Sequence, residues 1–327
     1  MKALVLENFG EVYTLSDIKK PAAGKGQVLV KIKASGINPL DLKIKEGQAA
    51  HAQVNLPAIP GIDMAGIVEA VGEGVKNFKA GDEVYGMTGG VGGVQGSLAE
   101  YASVDADLLA LKPKNLSFKE AAALPLIFIT AWEGLIDRAK VGAGHNVLIQ
   151  GGAGGVGHIA TQIAIAKGAN VFAAVSTAHI DLIKEYGAIP IDYTTSSPED
   201  YIAKHTNGEG FDIIYETVGG TTLDNSFKAA KQYKGHVISI LGWGNHSLAP
   251  LSFHGATYSG VFTLYPLISG KNRKEHGLIL KEAAQLVETG KVIPIVDPQN
   301  YSLETIEEAY ASILNGTAKG KVVINIE

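Results

Sequence analysis

Cysteine is absent from this chain of 327 residues. That excludes a disulfide framework and every thiolate metal site, and it is compatible with a reducing compartment. Long hydrophobic runs are missing as well. The longest, Ala121 to Trp132, is interrupted by Pro125 and Thr130 and is too short to span a bilayer. Nor is there an excess of positive charge: 28 Lys and Arg face 33 Asp and Glu, for a formal charge of -5 and a pI near 6.0. No basic stripe is therefore at hand to neutralise nucleic-acid phosphates. The nine histidines form no H-E-x-x-H, and no two stand four apart on an expected helix, so no catalytic metal is expected. A G-x-S-x-G elbow is also lacking, which argues against a hydrolase of that type. Met1 to Leu6 enters an apolar strand directly, with no extended h-region or cleavage site, and a soluble cytoplasmic protein is expected.

What the chain does have is glycine, 40 residues of it, placed at turns rather than in a low-complexity tract. The most informative turn is Val147-Leu148-Ile149-Gln150-Gly151-Gly152-Ala153-Gly154-Gly155-Val156-Gly157. A short apolar strand runs into G-x-G-x-x-G, filled by Gly152, Gly154 and Gly157, and then into an amphipathic helix. The first glycine permits the tight bend, the second lets backbone approach a pyrophosphate, and the third lets helix pack close to strand. Helix N-terminal amides then hold the phosphate charge. Glycine-rich turns are common, but here the strand before and the helix after are both present, as a dinucleotide site requires.

At this length about two domains are expected. The first third reads as β-rich: Val28, Val30 and Ile32 alternate with Leu29, Lys31 and Lys33, and Ile67–Gly72 and Glu83–Gly86 are short strands ending at glycine. A barrel-like, partly open β domain fits. From Ser117, whose Ser-x-x-Glu pattern to Glu120 opens a helix, the texture changes. Strands at Val147–Gln150, Val171–Val175, Phe211–Tyr215 and His236–Leu241 alternate with helices, which implies a parallel, doubly wound sheet. Helices near 274–288 and 303–314 precede a last strand, Val322–Ile326. The expected division is a β-rich substrate domain over 1–123 and 265–327 and a dinucleotide-binding domain over 124–264.

The strand Val171–Val175 ends in Ser176-Thr177-Ala178-His179, where an NAD-type site usually carries an acid for the ribose 2′-hydroxyl. No acid follows until Asp181, inside the next helix. Small hydroxyls leave room for a 2′-phosphate, although Ser176 could equally cap the helix, and both can hold at once. Gly89 to Gly96 lacks a following amphipathic helix. It reads as a flexible loop, a candidate lid over a substrate, rather than a second phosphate cradle. Asn38-Pro39-Leu40-Asp41-Leu42-Lys43 resembles a helix start, with Asn38 as N-cap and Pro39 first in the helix. On that reading alone Lys43 is one more solvated lysine.

Several segments together resemble the medium-chain dehydrogenase/reductase superfamily, in its zinc-free quinone oxidoreductase branch, across nearly the whole chain. They are Ser35–Asp41, Pro60–Gly66, Gly81–Tyr85, Gly96–Tyr101 and Ala153–Gly157. Zinc-dependent relatives carry cysteine where Asn38 stands and histidine where Ile62 stands, and both ligands are missing here. Leu108–Asn115 and the Lys43 position further resemble plant-type enone oxidoreductases, which reduce carbon–carbon double bonds conjugated to a carbonyl. The resemblance implies a Rossmann domain beside a GroES-like partly open barrel. It also implies NADP(H) as cofactor and a small apolar enone, enal or quinone as substrate, without nucleic acid or membrane, and it is compatible with a homodimer. Cofactor contacts implied by it are Asn38, Lys43, Thr130, Gly154, Gly155, Val156, Ser176, Thr177, His179, Tyr193, Leu241, Thr317 and Ala318. Lys43 is also the implied catalytic residue. It is the one cation of the Asn38–Lys43 segment, suited to steady charge growing on a carbonyl oxygen while bulk water gives the last proton, whereas Lys45 is expected to face solvent.

Two departures bear on this. Quinone reductases often carry tyrosine at the Lys43 position, which favours enones. Many relatives place a lysine just after Thr177-Ala178 for the 2′-phosphate, where this chain has His179 and Ile180, which weakens the NADP preference. A quinone reductase remains the alternative, as does a nucleotide-binding sensor or structural protein that kept the fold without turnover.

Overall fold

The computed structural model describes residues 1–326. The chain divides into two compact units, Met1–Ile129 with Leu264–Glu327, and Thr130–Thr263.

In the first unit β1 (Lys2–Val5) and β2 (Thr14–Asp17) form an antiparallel pair. The spine of the main sheet is β3 (Gln27–Gly36), whose Val28, Val30, Ile32 and Ala34 are buried while Lys31 and Lys33 stay partly exposed. It pairs antiparallel with β4 (Asp63–Val71), with β6 (Tyr101–Asp105) and with the C-terminal strand Val323–Asn325. Register shifts at Leu29/Val30 and Ile32/Ala34 bend β3 in the manner of β-bulges. Beyond β4 lie β5 (Glu83–Met87) and β7 (Leu109–Leu111), so the sheet ends on the C-terminal strand at one edge and β7 at the other. It is an open sheet, the partly open form the alternation implied.

Ser117 caps the helix Phe118–Ala122 with a reciprocal box. Glu120 N–H donates to the Ser117 hydroxyl at 3.2 Å, and Ser117 N–H to the Glu120 carboxylate at 2.8 Å. The glycine-rich stretch from Gly89 to Gly96 corrects the expectation of a flexible loop. Its amides donate from Gly90 to Val94, from Gly92 to Ala52 and from Gly96 to Ile59, at 2.9 to 3.0 Å. A Cβ on Gly96 would lie 2.1 Å from the Pro60 carbonyl oxygen. These glycines let backbone pack on backbone, so the stretch is an anchored turn.

The second unit holds six parallel strands: β8 (Asn146–Gln150), β9 (Asn170–Val175), β10 (Ile189–Asp192), β11 (Ile213–Glu216), β12 (His236–Ser239) and β13 (Thr257–Gly260). Their order, β10-β9-β8-β11-β12-β13, reverses between β8 and β11. Leu148, Phe172, Phe211, Ile214, Phe227 and Val237 make a continuous core on this sheet. Two strands carry no periodic apolar signal, and both are edges. β10 contains Pro190, tolerated at an edge because one side of the strand needs no donor, and β13 is Thr-Tyr-Ser-Gly. Among the described residues no helix is long and apolar enough to cross a membrane.

Candidate functional site

A parallel sheet offers a crevice at the carboxyl ends of its strands where the order reverses, here between β8 and β11. β8 leads there into the glycine turn and the helix Gly155–Ala166. A Cβ on Gly157 would sit 2.0 Å from the Gly151 carbonyl oxygen, and one on Gly152 would sit 2.7 Å from the Ala173 Cβ. Those two glycines are needed by the fold. Gly154 differs: an added Cβ would meet only the Gly151 oxygen, at 3.2 Å. Its face is open, directly before the unpaired amides of the first helical turn, which include those of Gly155 and Val156. The turn fits a dinucleotide pyrophosphate.

At the end of β9, Ser176 and His179 hydrogen-bond to each other, Oγ to Nδ1, at 3.0 Å. The Thr177 hydroxyl donates to the Asp192 carboxylate at 2.6 Å, and Thr194 donates to it through both N–H and hydroxyl. These bonds hold the Asp192 carboxyl below the usual carboxylate range. An acid thus does reach the Ser176–His179 turn. It comes from the end of the neighbouring strand, beside exposed Tyr193, where a search along the turn itself does not find it.

Sequence reasoning also missed Glu216, fully buried at the end of β11. One carboxylate oxygen accepts the N–H groups of Val218 and Gly219 at 2.7 and 2.6 Å, and the other accepts the Ser239 hydroxyl at 2.9 Å. Ser239 in turn accepts Leu241 N–H at 3.1 Å. One acid therefore shapes the loops leaving two adjacent strands at the crevice. Thr130 is buried, with its hydroxyl 3.1 Å from that of Thr263 and its carbonyl accepting the Tyr215 hydroxyl at 2.8 Å.

The first unit gathers a different set. Pro39 opens the helix Pro39–Lys45, and Asp41 accepts Asn38 N–H at 2.8 Å. Beyond the helix the Asn38 side chain reaches two buried groups: its Nδ2 donates to Asp63 Oδ2 at 3.0 Å and its Oδ1 accepts the ammonium of Lys321. Because a carboxylate only accepts and an ammonium only donates, this amide has one possible orientation. Lys321 Nζ is also 3.7 Å from Asp63, whose Oδ1 accepts Leu126 N–H at 2.9 Å. All four side chains are buried.

Burial raises Asp63 to about 6 and lowers Lys321, while their attraction opposes both shifts. Asp41 is pushed up to about 7, chiefly by burial, and its Oδ1 has no hydrogen-bond partner. Two acids and one ammonium share this pocket, so a proton on Asp41 leaves it neutral. Among the described residues no three His, Cys, Asp or Glu side chains converge as a metal site.

On the exposed face of the same helix stands Lys43, close enough to lower the half-buried His51 below its ordinary range, second to burial. Lys45 is not solvent-facing as expected. Its side chain is only 12% exposed, paired with Glu307 at 3.2 Å and lying over the Tyr13 ring. Thr317 and Ala318 form the turn after the helix Ile306–Leu314, both amides donating to the Ser312 carbonyl. The implied cofactor residues thus fall into two groups: Asn38, Lys43, Thr317 and Ala318 in the first unit, and the others in the second.

Residues 24–114 match the alcohol dehydrogenase GroES-like domain, and residues 187–324 match a family described as zinc-binding dehydrogenase. A quinone oxidoreductase of Sus scrofa is 34% identical over 99% of this chain and 97% of its own length. This chain belongs to the medium-chain dehydrogenase/reductase superfamily. Two further superfamily relatives are more similar in sequence. The 2-methylene-furan-3-one reductase of Solanum lycopersicum is 38% identical over 99% of this chain and 79% of that protein. The NADPH-dependent alkenal/one oxidoreductase of Arabidopsis thaliana, a chloroplastic protein, is 36% identical with the same coverage. Among solved structures, an alcohol dehydrogenase superfamily protein from Novosphingobium aromaticivorans superimposes with a TM-score of 0.98 at 52% identity, over the full length of both chains.

Proposed function

We propose that this protein is an NADPH-dependent reductase of small α,β-unsaturated ketones and aldehydes. The observation that carries the reading is the open glycine cradle before a helix of 12 residues, together with relatives named for enone and alkenal reduction. When bound, the reduced nicotinamide supplies the hydride that the β-carbon of the substrate accepts. The chain's task is to bind, orient and compensate charge. Gly154, Gly155 and Val156 hold the pyrophosphate, while Ser176, Thr177, His179 and Tyr193 receive the adenosine ribose and its 2′-phosphate. Leu241, Thr130, Thr317 and Ala318 complete the cofactor contacts.

As the β-carbon is reduced, negative charge develops on the carbonyl oxygen. A fixed donor aimed at that oxygen lowers the barrier most in a water-poor site. Lys43 fills that role in our reading. The buried set of Asn38, Asp63 and Lys321 fixes the start of its helix. Bulk water then protonates the α-carbon. Quinones are the second acceptor class, supported by the quinone oxidoreductases among the relatives.

NADPH consumption with a panel of enones and quinones tests the reading, and a protein that binds cofactor but oxidises none of it is a sensor instead. Lys43→Ala is expected to fold normally and lose about a hundredfold or more of its enone turnover. Lys76→Ala, at an exposed position, serves as the comparison and is expected to change little. Near wild-type turnover in Lys43→Ala would leave catalysis to positioning alone.

A further inference from the structure

After β12 the chain runs out as a loop, 241–248, before the helix Ala249–His254. The start of the loop is held by the Leu241 N–H bond to Ser239 and, through it, by Glu216. Its middle is held by His246. Nδ1 of this half-buried ring lies 2.8 Å from Asp224 Oδ1 on the helix Thr221–Ala229, and Nε2 lies 3.2 Å from the Trp243 carbonyl oxygen. The Phe227 ring meets the imidazole edge-on at 6.3 Å.

Both partners of the ring are acceptors. A carboxylate and a backbone carbonyl have no proton to give, and a neutral imidazole has a single N–H. A neutral His246 would therefore turn a nitrogen lone pair toward an oxygen on one side. Only the imidazolium donates at both contacts at once.

We infer that His246 is a positioning residue: as an imidazolium joining Asp224 to the Trp243 carbonyl, it pins the 241–248 loop in the shape that receives the cofactor, and its deprotonation frees the loop. The inference rests on the proposed function, in which Leu241 borders the cofactor. The charged groups bearing on the ring are Asp224 from its helix and Glu216 from β11. With the hydrogen bonds to Asp224 and Trp243 leading, they raise His246 above its ordinary range. Tyr258 of β13, whose hydroxyl lies against Gly242, is itself raised above the ordinary tyrosine value and titrates only at higher pH. With a raised folded-state value, the clamp is complete below about pH 6.5 and is lost as pH climbs through that value.

Two measurements on the full chain test this. Nitrogen-15 NMR of the histidine rings, without cofactor and with His246→Gln to assign the signal, is expected to show His246 keeping both nitrogens protonated to higher pH than an ordinary histidine, and a midpoint at or below the ordinary value overturns the clamp. Fluorescence titration with NADPH between pH 6.5 and 9 is expected to show affinity falling severalfold more in wild type than in His246→Gln as pH rises. Asp224→Asn should move the wild-type midpoint to lower pH, which a merely structural contact would not do. The same pH dependence in wild type and His246→Gln overturns the positioning role. Failure of NADPH to bind either protein at any pH would overturn the proposed function, while the ring signals still decide the protonation of His246.

Discussion

Asp41 shows how far single residues in this protein depart from their ordinary behaviour. Its carboxyl is raised from near 3.9 to about 7, so the folded chain holds a proton that the unfolded chain releases. The stability linked to that proton is complete below pH 4 and is lost as pH rises through 7. Its upper bound is about 4 kcal/mol. Asp41→Asn should accordingly melt above wild type at pH 8, with the difference closing as pH falls toward 4. A difference independent of pH would show that Asp41 stays ionised in the fold. Asp192 calls for a second prediction. In the proposed cofactor site the Asp192 carboxylate beside Thr177 opposes a 2′-phosphate, so Asp192→Asn should raise the preference for NADPH over NADH severalfold. Fluorescence titration with both cofactors reads this, and an unchanged ratio would place the 2′-substituent elsewhere. Neither residue stood out in the sequence as ionically important. Asp41 lies in a stretch read only as a helix start at Asn38 and Pro39, and the lysine that shares its pocket is 283 positions from Asn38. Asp192 lies on a neighbouring strand rather than on the turn where an acid is normally sought.

The glycine turn is the element whose sequence and geometry agree most closely, because each residue type there answers to a backbone distance. Its glycines also separate folding from binding. Gly157→Ala drives a methyl against the Gly151 carbonyl oxygen and should cost at least about 2 kcal/mol in a denaturant melt. Gly154→Ala meets only one oxygen, at 3.2 Å, so it should melt like wild type yet bind NADPH at least about tenfold more weakly. Equal affinity in Gly154→Ala would remove the pyrophosphate from this cradle. Strands with buried faces were legible from their apolar residues, as in β3, β8 and β11. β10 and β13 were not, because edge strands need neither two apolar faces nor an unbroken row of donors. The stretch from Gly89 to Gly96 was misread for a related reason. Glycine marks both mobility and close backbone packing, and only the contacts to Ala52, Ile59 and Pro60 tell them apart.

At the scale of the molecule, both units were legible as classes: an open antiparallel sheet built on β3, and a doubly wound parallel sheet whose order reverses between β8 and β11. The buried polar networks within each were not. Glu216 with Ser239, and Asn38 with Asp63 and Lys321, join positions far apart in sequence, and no local periodicity encodes them. The central claim is that the β-carbon of an enone is the atom reduced. The most direct measurement uses NADPH deuterated at the transferred position, with methyl vinyl ketone as substrate and the product analysed by NMR. A saturated ketone carrying deuterium on the carbon β to the carbonyl is expected. Deuterium on the carbonyl carbon of an allylic alcohol, or a saturated ketone without the label, would contradict it.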